Sequence, residues 1–211
     1  MRDLTARPPE MLARLREAHA TPPRAYHDFG HAQAVLAHCE AVASGPGWAR
    51  PREVRLAALY HDAVYVPGRR DNEARSAEFA RREIARWLPD AGIESGFVAE
   101  LIGLTARHGS LEPDDLGSGP DGDDRRHFLD CDMAILGAAP DVFDAYDRAI
   151  AEEYSGVVPA WLYRLRRRRF LRGLLRRDRI YLSAFFHERL DAPARANLRR
   201  ALGQEAARDR S

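Results

Sequence analysis

Apolar residues recur along nearly the whole chain at three- and four-residue intervals, the spacing of one face of an α-helix. Pro8-Pro9 predicts a first helix through about Ala20, ended by Thr21-Pro22-Pro23. Asp28 is placed to cap a second helix, whose apolar face carries Ala32, Val35, Leu36, Cys39, Val42 and Ala43 before Gly45-Pro46-Gly47 breaks it. A third helix is expected over 51–65, closed by Pro67-Gly68, a fourth over 72–88 and a fifth over 94–107. The Gly/Pro/Asp-rich stretch 109–124 is expected to be the one long, mobile loop. Helices are expected again over 125–136, 140–154, 159–177, 179–188 and 193–207. Strand-type alternation and internal repeats are missing from the pattern, so the expected fold is all-α, with about nine or ten helices in one domain over 1–211.

Composition agrees with a globular chain. Its 211 residues are 45% hydrophobic and 31% charged, long enough to bury a core without a disulfide or zinc staple. No apolar run approaches the ~18 residues of a membrane span, and Met1-Arg2-Asp3-Leu4-Thr5 does not read as a signal-peptide core. Cys39 and Cys131 are far apart and form no metal or redox spacing, so a reducing cytoplasm is the expected location. The net charge of +1 excludes a chain-wide nucleic-acid field. The charge is unevenly laid out, however: 109–124 carries six acids and no base, and 161–179 carries nine Arg and one Asp. All 33 basic residues are Arg, which removes Lys as a Schiff base or general base.

Candidate chemistry lies in the histidines and aspartates. Two His-Asp dipeptides occur, His27-Asp28 at a helix start, where Asp is an expected cap, and His61-Asp62 inside an apolar run. Burying His61 and Asp62 together is costly unless both are paired or bind a metal. His31 shares the core-facing stripe of its helix with Val35 and Val42. His38 lies roughly 10 Å further along, too far to share an ion. Asp132 sits among Leu129, Ile135 and Leu136, and Asp130 should point the other way. His31, His61, Asp62 and Asp132 would make a two-nitrogen, two-oxygen set suited to Mn, Fe, Co, Ni or Zn, with coordination positions left open. The alternative is a buried His-Asp hydrogen bond with unrelated acids elsewhere.

These residues stand in the order H…HD…D, and in that order the chain resembles the HD superfamily of metal-dependent phosphohydrolases. The resemblance runs through Tyr26-His27-Asp28-Phe29-Gly30-His31, Ala58-Leu59-Tyr60-His61-Asp62-Ala63-Val64-Tyr65, Asp71-Asn72-Glu73-Ala74-Arg75-Ser76-Ala77 and Leu104-Thr105-Ala106-Arg107-His108. It continues through Phe128-Leu129-Asp130-Cys131-Asp132-Met133-Ala134-Ile135-Leu136-Gly137, Glu152-Glu153-Tyr154, Arg179-Ile180-Tyr181 and Ala194-Arg195-Ala196-Asn197-Leu198. The match covers about 24–202 and is closer to a small bacterial branch of that superfamily. Asp28 departs from the Asn expected there.

The resemblance implies a helical HD core over about 24–155, with a C-terminal helical extension over about 159–207 packed on it. It also implies one divalent ion (Mn, Fe, Co, Ni, Zn or Mg) on His31, His61, Asp62 and Asp132. The implied activity is hydrolysis of a small phosphoester or phosphoanhydride, a nucleotide foremost, through a metal-activated water. Two-metal members carry two extra histidines, and only His108 is available here. Glu73 and Asp71, just after the HD helix, are the candidates to orient or deprotonate the water, with Glu73 preferred. His27 and His108 are candidates to contact phosphate or protonate the leaving group. The other class of reading is a non-catalytic HD-fold protein that senses a nucleotide or docks a partner through its Arg-rich helix. The expected partner is a small phosphorylated substrate, with no membrane and no strong case for nucleic acid. The sequence is compatible with a homo-oligomer.

Overall fold

A computed structural model describes residues 8–208, with side chains described to residue 203. The expectation about residues 1–5 falls outside that range. Among the described residues every regular element is helical, so the fold is all-α, and no helix is long and apolar enough to cross a membrane. The helices cluster into two compact units that divide between Ala106 and Arg107. That division lies ahead of the acidic stretch.

The first unit contains α1 (Pro9–Ala20), α2 (Phe29–Ala43), α3 (Pro51–Tyr60), α4 (Asn72–Trp87) and α5 (Ser95–Thr105). α3 packs against α2, α4 and α5, and α4 lies along α5. The apolar stripes meet as Met11, Leu15, Val35, Val42, Val54, Ala57, Phe97, Leu101 and Ile102, all buried. α2 begins where expected. Asp28 is its N-cap, and its carboxylate accepts the backbone N–H of His31 at 3.1 Å.

α3 is shorter than its periodicity predicts, ending at Tyr60 rather than at 65. Ala63, Val64 and Tyr65 keep the apolar rhythm, but side chains from elsewhere take the backbone groups that a longer helix would use. Ser76 both donates to the Val64 carbonyl and accepts its N–H, at 3.1 and 3.0 Å. Asn72 does the same for Val66, at 3.0 Å each way.

The second unit contains a 3₁₀ turn (Pro113–Leu116), α6 (Gly119–Met133), a second 3₁₀ turn (Ala134–Gly137), α7 (Pro140–Glu153), α8 (Ala160–Arg176) and α9 (Ala184–Arg208). α9 packs on the second 3₁₀ turn, α6, α7 and α8. Gly137 makes one approach possible, because a Cβ there would lie 2.7 Å from the Leu190 Cβ. The stretch 109–124 is not a structureless loop. Glu112 and Asp115 form a capping box around the first 3₁₀ turn, and α6 already starts at Gly119.

Two helices were expected over 179–188 and 193–207, but one continuous helix runs through Pro193. Proline removes one bond, to the carbonyl four residues back at Arg189, which is exposed and can be served by solvent. The turn before α9 is held by two buried carboxylates. Asp130 accepts the N–H groups of Leu182 and Ser183 and the Ser183 hydroxyl at 2.8, 2.7 and 2.6 Å, and Asp191 accepts the Ile180 N–H at 2.7 Å. Burial pushes the Asp130 carboxyl up to about 7, against the pull of those donors.

Because Asp28 caps α2, Asp28→Ala should lower stability by about 0.5–2 kcal/mol while leaving the fold intact. Urea unfolding of the two proteins measures it. An unchanged midpoint would show that the cap contributes nothing.

Candidate metal centre

Three side chains predicted to share an ion come together in the first unit. His31 projects from the first turn of α2, and His61 and Asp62 follow directly on α3; all three are buried. His31 Nε2 lies 3.0 Å from His61 Nε2. The Asp62 Oδ2 is 3.1 Å from His61 Nε2 and 3.5 Å from His31 Nε2. The His61 Nδ1–H donates to the Ala58 carbonyl at 2.9 Å, which leaves the Nε2 lone pair facing the other two groups.

An ion about 2.0–2.1 Å from each donor would set neighbouring ligand atoms about 3.0–3.4 Å apart. Two of the three separations fall in that range and the third, 3.5 Å, lies just beyond it, so the donor atoms are close enough together to hold one metal ion. Two imidazoles and one carboxylate are also the right chemistry for a divalent transition metal, with positions left open. Burial would raise the Asp62 carboxyl. With their rings protonated, His61, His27 and His31, together with a hydrogen bond from His61, overturn that and hold it below the usual carboxylate range.

His27 lies against this cluster. Its ring stacks on Tyr65 at 4.1 Å between centroids and meets His31 edge-on at 5.7 Å, while Tyr26 tilts against His31 at 4.7 Å. His108 and Asp132 are in the second unit, joined to each other by a 2.9 Å contact from Nδ1 to Oδ2. Asp71, just before α4, is paired with Arg69 at 2.6 and 2.7 Å, and that hydrogen-bonded guanidinium holds its carboxyl down. Glu73, in the first turn of α4, makes no hydrogen bond or ion pair among the described residues. His38 is half-buried away from the cluster's ligand atoms, as its spacing suggested.

No family model, curated protein or solved structure matches the chain.

Several supporting residues were not singled out from the sequence. Arg24 donates to the carbonyls of Ala18, His27, Asp62 and Ala63 at 2.8, 2.8, 2.6 and 3.1 Å. It thereby ties the end of α1, the turn before α2 and the His61-Asp62 turn to one planar group. Asn72 and Ser76 fix the other end of that turn on α4. Their only sequence signal is a pair of small polar residues four apart on a helix face that is otherwise buried. His19, also buried, donates from Nε2 to the Leu59 carbonyl at 2.9 Å, next to the end of α3.

His19 yields a pH prediction. Burial drives its pKa down to about 4, outweighing the Leu59 hydrogen bond that works upward. Between that value and the ordinary 6.5 the unfolded chain binds a proton that the native chain does not, so stability falls as pH drops through this window. The native state should lose about 2–3 kcal/mol from this group between pH 7.5 and 4.5. His19→Gln keeps an amide donor without the titration, so it should lose that much less over the same range. Equal losses for the two proteins in urea unfolding would remove His19 as the cause.

Proposed function

We propose that the protein is a metal-dependent phosphohydrolase of the HD type, acting on a small phosphoester or phosphoanhydride, a nucleotide foremost. The observation that carries the reading is the convergence of His31, His61 and Asp62 at metal-ligand spacing in a buried pocket. The ordered H…HD…D resemblance supports it, and under it Asp132 completes the ligand set. One divalent ion, drawn from Mn, Fe, Co, Ni, Zn or Mg, would supply Lewis-acid polarisation of the phosphoryl group and a lowered water pKa.

The protein's own groups divide the remaining work. Glu73 is the proton acceptor: its carboxylate has no partner to give up among the described residues, whereas Asp71 is held by the Arg69 fork. His27, half-buried on the Tyr65 ring beside His31, contacts the phosphate or hands a proton to the leaving group. Under the resemblance alone, His108 would be the other candidate for that role. Arg24 is a positioning residue, because it holds the backbone of both histidine-bearing turns.

Hydrolysis of p-nitrophenyl phosphate and of a nucleotide panel, each with added Mn, Co, Ni or Mg, tests the reading. Turnover should need the metal, stop with a chelator, and disappear in Asp62→Ala but persist in Asp28→Ala. Glu73→Gln should lower kcat by about 100-fold or more at unchanged metal content, and Asp71→Asn should cost far less. Turnover that survives both the chelator and Asp62→Ala would contradict a metal-dependent hydrolase, and near-normal turnover in Glu73→Gln would remove that residue from the mechanism.

A further inference from the structure

The second unit contains a cleft that the metal centre does not use. It opens between α7, the turn after it and α8, reaches Ala201 of α9, and encloses about 500 Å³, a size suited to a small organic ligand. Asp144, Asp147, Arg148, Tyr154, Tyr163 and Arg164 supply its polar and aromatic lining.

The charges of that lining do not cancel. Asp144 is paired with Arg200 at 2.8 Å, and Asp147 is paired with the buried Arg167 at 2.7 and 3.0 Å. Both carboxylates are therefore already neutralised from behind. Arg148 on α7 and Arg164 on α8 have no ion pair or hydrogen bond among the described residues. Two guanidiniums that are unpaired among the described residues, one from each helix, thus face a cleft whose two acids already have partners, and guanidinium is the side chain that grips phosphate as a fork. Beside them Tyr154 and Tyr163 lie 5.7 Å apart between centroids, tilted by 34°. That spacing is too close to admit a third ring between them, but it leaves an aromatic edge of the cleft on which a planar group can stack.

We propose that this cleft is a second ligand site, separate from the metal centre, for a small phosphorylated molecule with a planar ring, namely a nucleotide. The phosphates sit on Arg148 and Arg164, and the ring lies against the tyrosine pair. The proposal stands whether or not the metal centre hydrolyses phosphoesters.

Calorimetric titration of the full chain with ADP, in the presence of a chelator, tests it, with adenosine and inorganic phosphate as the partial probes. ADP should bind saturably with Kd below about 1 mM, the range of an ordinary metabolite site, and each partial probe should bind at least about tenfold more weakly. Arg148→Ala and Arg164→Ala should each weaken ADP by roughly ten- to a hundredfold, as expected for a lost charge-assisted contact. Tyr163→Leu should weaken ADP and leave phosphate unchanged. No saturable binding of ADP overturns the proposal. So does binding that survives the Arg148→Ala/Arg164→Ala double variant.

Discussion

α3 stops in the interior, and a buried helix end leaves backbone groups that must find partners. Each group left unpaired there would cost about 1–3 kcal/mol. The chain after Tyr60 meets this demand with side chains from two other segments, Arg24 before α2 and Asn72 and Ser76 at the start of α4, and with its own His61, whose Nδ1 folds back onto Ala58. These bonds fix where the His61 and Asp62 side chains go. Asp28 does the corresponding task for His31 by capping the first turn of α2. The geometry of the candidate ligands thus follows from satisfied backbone, held largely by Arg24, Asn72, Ser76 and Asp28.

That arrangement explains what could be read from residues alone. The helices, the Asp28 cap and the convergence of His31 with His61-Asp62 were legible because they depend on local spacing and on the cost of burying charge. The end of α3 was not, because Ala63, Val64 and Tyr65 prolong the apolar rhythm and the groups that interrupt it come from up to 39 residues away, at Arg24. The continuous α9 was hidden for a similar reason, since a proline whose lost bond falls at an exposed residue, Arg189, need not stop a helix. In 109–124 composition suggested a loop, yet acids at helix starts are favourable caps as well as solubilising charges, and Glu112 and Asp115 act in the first way. Nothing in the spacing joined His108 to Asp132.

The second unit follows the same rule with different residues. Asp130, two positions before Asp132, points into the protein and holds the 180–183 turn, as the helical angle between them required. Arg195 adds donors to the carbonyls of Leu175, Arg177 and Asp178, and Asn197 to those of Leu136 and Ala138. Here too, side chains on one helix complete the backbone of a turn far away in sequence, leaving α7 and α8 to frame the cleft. The Arg-rich composition is divided accordingly: some guanidiniums are structural donors to carbonyls, some neutralise acids, and others, Arg148 and Arg164 of the cleft among them, make neither kind of bond among the described residues.

Under the proposed function, His31, His61 and Asp62 would hold one ion through two imidazole nitrogens and a carboxylate oxygen. X-ray absorption at the metal edge, on protein loaded with cobalt or zinc and then desalted, addresses it most directly. One equivalent of metal is expected, with a first shell of mixed nitrogen and oxygen and the outer-shell scattering of two imidazoles, which should fall to one in His31→Ala. A shell of oxygen alone, or imidazole scattering that His31→Ala leaves unchanged, would contradict the site.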